Sequence, residues 1–168
     1  MSSSQAKPNT TPSSELIFLK TFDKVTFSVE RSVITKSITI KNLLDDGCAD
    51  GGGIIPLHNV NGKTLSIVID YLTKHAELPN ESSEIKVFDN NFTQGLSDPK
   101  IILDLLLAAN YLEIKELLDL ISQKIADYIR DKQPEEVRKI FNIENDYTEE
   151  EEAAVRNEFP WVFENKDA

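Results

Sequence analysis

The apolar positions near the start of the chain follow the two-residue period of β-strands. Two short runs, at residues 16–19 and 25–29, flank the polar segment 21–24 and predict a β-hairpin. The second run alternates apolar and polar side chains, as a strand with one buried face does. The residues before Glu15 offer almost nothing to bury, so we expect a disordered tail at 1–14 and an ordered chain from Glu15 onward.

After the hairpin the apolar spacing changes to three and four residues, which predicts two short helices within residues 30–46. Frequent β-branched residues disfavour one long helix in this stretch, and Ser37 can cap the second of the two. Residues 54–57 predict a brief strand, and the proline inside it indicates an edge strand or the end of a strand. Residues 61–76 predict the first long amphipathic helix, capped by Asn61.

A polar, acidic segment at 77–97 predicts a variable loop between this strand-containing part and a second half that is helical throughout. Asp98, followed by a proline, predicts the start of a helix. A longer helix is expected at about 113–130. Two more short helices are expected to begin at Pro134 and after Thr148, which forms a capping-box pattern with the glutamate three residues later.

The charge of the chain narrows the range of partners. The 168 residues carry a formal net charge of −11, which repels nucleic-acid phosphates and anionic membrane surfaces, so we expect neither as a partner. A single cysteine, Cys48, cannot form an internal disulfide. The sequence shows no secretory signal and no apolar run of about 20 residues that could span a bilayer. Together these features predict a protein of the nucleus and cytoplasm.

Candidate catalytic groups are few. The two histidines, His58 beside a strand end and His75 at a helix end, are the bases that could activate Cys48 as a nucleophile. We favour a loop cysteine and two surface histidines, because a zinc site fails on ligand number and spacing. The acids at 149–152 lack the spaced oxygens of a calcium loop and lie at a helix start, where acids are stabilised anyway. We therefore expect no enzyme activity, no metal and no cofactor.

The last fifty residues carry more apolar side chains than short helices can easily hide. A compact helical subdomain that buries them and a surface that binds a partner both agree with this excess, and exposure would favour the partner. The apolar residues concerned are Ile140, Phe141, Ile143, Tyr147, Phe159, Trp161, Val162 and Phe163.

Three separated motifs stand out: Ile-Pro-Leu-His-Asn-Val at 55–60, Leu-Leu-Ala-Ala-Asn-Tyr-Leu-Glu-Ile-Lys-Glu-Leu-Leu-Asp-Leu at 106–120, and Pro-Glu-Glu-Val-Arg-Lys-Ile-Phe-Asn-Ile-Glu-Asn-Asp-Tyr-Thr at 134–148. In this order they resemble the Skp family, the S-phase-kinase-associated adaptor subunits of SCF ubiquitin ligases. The similarity runs from about Leu16 to Glu164. The Trp-Val-Phe-Glu ending resembles the plant-type branch of that family.

The resemblance implies an α+β fold in which a BTB/POZ domain is followed by C-terminal helices that bind an F-box. Residues 15–76 and 98–131 would form the BTB/POZ part, and residues 132–164 the F-box-binding extension. In the family an Asn-Tyr step meets the N-terminal domain of a cullin, and that step is Asn110 and Tyr111 here. Carried over to this chain, the F-box-binding residues are Leu117, Leu118, Ile121, Ile125, Ile129, Pro134, Ile140, Phe141, Ile143 and Trp161.

The chain departs from the family pattern at several positions. Members commonly read Glu-Asn-Gln-Trp near the end, whereas residues 158–161 read Glu-Phe-Pro-Trp, and Pro160 should end a helix early. Ile140 stands where members often have threonine, and Lys124 and Tyr128 are unusual on the long helix. These departures leave open which F-box proteins are accepted and indicate a somewhat divergent member.

The resemblance implies a non-catalytic adaptor that bridges a cullin and F-box proteins and so brings substrates to ubiquitination. An elongin-C-like adaptor is one alternative, but that family lacks the helices found here at 134–161. A second alternative is a BTB-fold homodimer, or a divergent paralogue that binds F-box proteins outside a ligase. A weak homodimer of the unbound chain also stays open. A hydrolase based on Cys48 is the third alternative.

Overall fold

The strands and helices belong to two units, which are described separately. The computed structural model describes residues 15–47, 53–78 and 82–163. Unit 1 spans Met1–Glu77 and unit 2 spans Leu78–Ala168. The tail predicted at 1–14 and the residue Cys48 lie outside the described residues.

Unit 1 contains a three-stranded sheet. Strand β1 (Leu16–Thr21) pairs antiparallel with β2 (Thr26–Glu30), and it pairs parallel with β3 (Ile54–Leu57), giving the order β2-β1-β3. Along β1, every second side chain is buried, as expected for a strand with one covered face. The predicted hairpin and the predicted edge strand are therefore confirmed.

Three helices complete the described part of unit 1: α1 (Arg31–Ile34), α2 (Ile38–Asp45) and α3 (Gly62–Glu77). The Ser37 hydroxyl accepts a hydrogen bond from the backbone N–H of Ile40 at 3.2 Å, so the predicted break and cap between α1 and α2 are confirmed. Asn61 caps α3 in the same way. Helix α1 packs against α3 and both hairpin strands. The largest side chains of this core are Leu19, Ile34, Ile40, Ile55, Leu57, Leu65, Tyr71 and Leu72.

A carboxylate connects the hairpin to the start of α3. The Asp23 side chain accepts hydrogen bonds from the Thr21 hydroxyl and from the Gly62 backbone N–H, whose nitrogen lies 3.0 and 3.1 Å from its two oxygens. The Thr21 bond and then the Gly62 bond hold the pKa of Asp23 below its usual value. The absence of a Cβ on Gly62 permits this approach, because such an atom would lie 2.8 Å from Cγ2 of Val25.

Unit 2 is helical throughout its described residues, as predicted. The Asp98 carboxylate accepts from the Lys100 backbone N–H at 2.9 Å, which confirms the predicted helix start. Thr148 and Glu151 form the predicted capping box. The helices are α4 (Ser83–Gly95), α5 (Pro99–Tyr111), α6 (Lys115–Ile129), α7 (Pro134–Phe141), α8 (Glu149–Glu158) and α9 (Pro160–Phe163).

The prediction of a loop across 77–97 is wrong for most of its length, because α4 occupies residues 83–95. The Ser82 hydroxyl accepts from the backbone N–H of Ile85 and caps the helix. Ile85 is buried, and the rings of Phe88 and Phe92 lie 6.0 Å apart, so helical spacing places these three residues on one side. Neighbouring acids and asparagines obscured this pattern in the sequence.

The prediction of two surface histidines is correct for one of them. His58 is exposed, but His75 is buried, with its ring centroid 4.1 Å from that of Tyr71 in the same helix. The four-residue spacing places the two rings on one face of α3, where they pack as part of the core. Within the residues that the structure describes, His, Cys, Asp and Glu side chains form no cluster that could hold a metal ion. The described helices include none long and apolar enough to cross a membrane.

Candidate partner-binding surface

The side chains along α6 become more exposed toward its C-terminal end, and those after the helix are no more deeply buried. Leu117 and Ile121 are completely buried, in the helix pair that α6 forms with α5. Leu118, Ile125 and Ile129 are only half-buried. In residues 122–163, all of which the structure describes, no side chain reaches full burial. The C-terminal third of the described chain therefore has apolar residues but no closed core.

The residues predicted to bind an F-box fall into two groups in the structure. Leu117 and Ile121 have no accessible surface, so they support the helix pair and cannot touch a partner in this state. The other eight retain accessible surface within the continuous segment 118–161. They are Leu118, Ile125, Ile129, Pro134, Ile140, Phe141, Ile143 and Trp161. Their role in binding stays a prediction.

Helix α7 ends in a left-handed turn that presents an apolar side chain to solvent. Asn142 adopts φ 52°, a conformation that asparagine tolerates better than most residues. The following N–H, from Ile143, donates to the Arg138 carbonyl at 2.8 Å and closes the turn. This bond fixes Ile143 just past the helix end, where it is 54% exposed. The end of α7 and residues 142–145 also line an open cavity of about 620 Å³.

Helices α8 and α9 form a C-terminal arm, which we define as residues 149–163. Arg156 makes the principal polar contacts of this arm: it pairs with Glu135 at the start of α7 and donates to Glu152 at 2.9 Å. Its guanidinium also lies 4.3 Å from the ring centre of Phe163. The bond from Arg156, followed by the bond from Asn145, holds the pKa of Glu152 below its usual value. The arm is thus attached to α7 through exposed, charge-assisted contacts.

The arm carries aromatic side chains that remain largely exposed. Helix α8 ends at Glu158 and α9 begins at Pro160, so the predicted early helix end is confirmed. Trp161 is 69% exposed and Phe159 is 42% exposed. Tyr147, just before α8, is 49% exposed and lies under the Arg138 guanidinium, at 5.9 Å from its ring centre. Isolated exposed apolar residues are common, but a series along one segment is typical of an interaction surface.

The predicted cullin-binding step forms the last turn of α5. Asn110 is exposed and Tyr111 is half-buried. The helix closes through Glu113 at φ 50° and a bond from the Ile114 N–H to the Ala109 carbonyl at 2.9 Å. Buried Leu112 and Ile114 hold this turn rigidly beside the step. One turn earlier, Leu107 is 56% exposed.

Two residues of this surface escaped sequence reasoning. Leu107 lies in a run of three leucines, and the run itself does not indicate which leucine points outward. The pairing of Arg156 with Glu135 gave no signal in the sequence, because the two residues are 21 positions apart. Exposed apolar side chains, two rigid turns and an arm held by ion pairs can bind another protein. They provide no nucleophile with an adjacent base.

The comparisons with known proteins agree on one family. The description "Skp1 family, tetramerisation domain" matches residues 15–77, and "Skp1 family, dimerisation domain" matches residues 115–162. SKP1-like protein 14 of Arabidopsis thaliana is 49% identical over 152 residues, covering 90% of this chain and 99% of that protein. SKP1-like protein 4 of the same plant is 46% identical, with 89% and 97% covered. SKP1-like protein 1 of Oryza sativa subsp. japonica is 45% identical, with 89% and 96% covered.

Proposed function

The chain belongs to the Skp1 family, with a POZ-type domain and an α+β fold as predicted, and from that premise we propose that it is a non-catalytic SCF adaptor. The adaptor bridges a cullin and an F-box protein in a cullin-RING ubiquitin ligase. It contributes no chemical step. By holding the F-box protein and its substrate on the cullin, it raises their effective concentration near the ubiquitin-transferring subunit. We place this activity in the nucleus and cytoplasm.

The proposal rests on residues 122–163, whose apolar side chains form no closed core. Short helices that leave Ile143 and Trp161 exposed gain little from folding alone, because apolar surface is stabilised only when it leaves water. An apolar segment from an F-box would supply the missing side of this core. A standard protein interface buries about 1,600 Å² in total, which a face made by α6, α7 and the arm can provide.

The cullin is assigned to a different surface, the end of α5. Asn110 offers a polar side chain and Tyr111 an aromatic one, while exposed Leu107 extends the apolar part of the same helix face. The rigid turn at Glu113 means that little ordering is lost when a partner binds there. We therefore expect cullin binding to be independent of the arm.

The test is co-purification of the full chain with an F-box segment and, in a separate experiment, with a cullin N-terminal domain. Trp161→Ala should weaken F-box binding by about tenfold or more and leave cullin binding unchanged, since truncation of a central anchor costs about 2 kcal/mol. Asn110→Ala with Tyr111→Ala should show the opposite pattern. Val87→Ala is the matched control, because Val87 is 58% exposed on α4, outside both proposed surfaces.

Each outcome decides a different part of the proposal. Loss of both activities in Trp161→Ala would mean that the two surfaces are not independent. F-box binding by the native chain without cullin binding would assign it a role outside a ligase. Binding to neither partner would overturn the adaptor proposal.

Self-association is the second candidate, and one finding favours it. The segment that matches a family domain described as a dimerisation domain, residues 115–162, also leaves apolar side chains exposed. Sedimentation of the free chain and of the chain with an F-box segment separates the two functions. A dimer that the F-box segment dissociates shares the adaptor surface, whereas a dimer that resists it indicates a structural homodimer.

A further inference from the structure

Two lysines, one near the end of α6 and one three residues after it, differ in burial from every other described lysine. Lys124 and Lys132 are half-buried, whereas all the remaining lysines within residues 15–47, 53–78 and 82–163 are exposed. The two are eight positions apart, with Tyr128 midway between them, so helical spacing brings Lys124 and Tyr128 onto the same face. Burial of this degree covers part of the aliphatic stem, which restricts where the ammonium can lie.

Lys124 and Tyr128 continue the inward row of α6. Counted from Leu117, the residues at four, seven and eleven positions are Ile121, Lys124 and Tyr128, the spacing of one helix face. Leu117 and Ile121 are fully buried, and the row then becomes polar where the core ends. A lysine at such a position lies beside Ile125 and Ile129, which belong to the proposed F-box-binding face.

Three acids near the two lysines are engaged elsewhere. Asp127, three positions from Lys124, accepts from Gln123 at 3.1 Å and pairs with Arg130. Near Lys132, Glu135 pairs with Arg156 and Glu136 accepts from the Gln133 backbone. Across the described residues, neither lysine makes an ion pair or a hydrogen bond.

Tyr128 supplies the contact that Lys132 does make. The Lys132 ammonium lies 5.0 Å from the centre of the Tyr128 ring, a cation–π arrangement. The ring face attracts the ammonium without neutralising it. The charge therefore stays available to an incoming anion at a defined place.

We propose that Lys124, Tyr128 and Lys132 form a basic strip that selects F-box segments carrying an acidic side chain where they meet α6. The inference rests on the proposed F-box-binding function and adds a preference among the partners. Each lysine offers a partner carboxylate a cationic neighbour beside apolar surface, where charge complementarity discriminates between partners.

The experiment uses the full chain and a set of variants of one F-box segment. Each variant carries a single Glu, or a Gln at the same position, beside the apolar residues of that segment. At least one Glu member should bind about three- to tenfold more tightly than its Gln sibling, the range expected when an ion pair forms at a partly buried site. Lys124→Gln with Lys132→Gln should abolish that difference and leave the affinity of the Gln members unchanged. Tyr128→Phe should preserve it, because the ring face remains.

Lys115→Gln with Lys86→Gln is the control, since it likewise removes two lysine charges, both from exposed positions outside the strip. If every Glu member binds like its Gln sibling, or if the control variant erases the difference equally, the strip has no selective role and its lysines only cover apolar surface with their stems. In that case the proposed function stands. If no member of the set binds the native chain, the proposed function fails, and this inference fails with it.

Discussion

Unit 1 and the segment 122–163 both contain abundant apolar residues, but they differ in where those residues lie. In unit 1 the sheet and three helices enclose a core in which Leu19, Ile34 and Leu65 have no accessible surface. In 122–163 the helices are comparably well capped, yet every side chain keeps part of its surface in water. Good local helix signals therefore do not produce a closed core. The difference is one of geometry, because two or three layers must face each other before apolar surface can be buried.

The largest contrast is expected from truncating one residue in each region. Leu65→Ala should lower the free energy of unfolding by about 2–5 kcal/mol, because it leaves a cavity in a closed core. Ile143→Ala should change it by about 0.5 kcal/mol or less, because the side chain is already half in water. Urea unfolding of both variants measures the two values. Similar losses in both would show that Ile143 packs in a core after all.

Substitutions at Gly62 and Gly95 form a matched pair with smaller expected effects on stability. Gly62→Ala should lower stability by about 1–3 kcal/mol, because the new Cβ would lie 2.8 Å from Cγ2 of Val25 and the neighbouring backbone must shift. Gly95→Ala at the end of α4 meets nothing within 4 Å and should be neutral or stabilising by up to about 1 kcal/mol. Thermal unfolding compares them. A harmless Gly62→Ala would contradict the close packing of the hairpin on α3.

The left-handed turn after α5 allows a change that stabilises unit 2. Glu113 has φ 50°, a conformation that costs an ordinary residue about 1–2 kcal/mol and a glycine almost nothing. Glu113→Gly should therefore raise stability by roughly 1 kcal/mol. Glu116→Gly, inside the first turn of α6, should lower it by roughly the same amount. Chemical denaturation of the pair gives the sign, and a destabilising Glu113→Gly would rule out the turn.

The smallest effects should come from acid. The Thr21 and Gly62 bonds hold the pKa of Asp23 below its usual value of 3.8, and the Thr148 backbone and side-chain bonds hold the pKa of Glu151 below its usual value of 4.5. Because both values are lowered in the folded state, these groups stabilise it above those pH values. Their contribution is lost as the pH falls through the lowered folded-state pKa.

Amide chemical shifts followed during acid titration measure both contacts separately. The Gly62 N–H reports on Asp23, and the Thr148 N–H reports on Glu151. Asp23→Asn and Glu151→Gln should each flatten the titration of their own reporter and leave the other unchanged. A Gly62 shift that still titrates normally in Asp23→Asn would show that another group controls it.

Local signals account for most of what the sequence predicted correctly. The side-chain oxygens of Ser37, Asp98 and Thr148 each accept a hydrogen bond from a backbone N–H within three residues, so these caps can be predicted without knowledge of the tertiary structure. The same holds for Pro160, which cannot continue α8. The hairpin followed from alternation and from a polar turn of fixed length.

The failures share a different physical origin. Helix α4 was missed because its apolar residues, Ile85, Phe88 and Phe92, are diluted among acids and asparagines that also favour loops. The burial of His75 depends on the elements packed around α3. Contacts such as Arg156 with Glu135 join residues far apart in sequence, where no local pattern reports them. The division of the F-box-binding set into buried and accessible members likewise required the packing of α6 on α5.

The chain has one tryptophan, and it stands at Trp161, 69% exposed on the short helix after Pro160. An indole in water emits at longer wavelength than an indole in an apolar contact. Excitation at the red edge of the absorption band excites the tryptophan but not the tyrosines, so the emission reports on this one site. A blue shift on addition of an F-box segment would report occupancy of the arm, while a cullin domain should leave the emission unchanged. The molecule thus carries an intrinsic optical probe that distinguishes F-box binding from cullin binding.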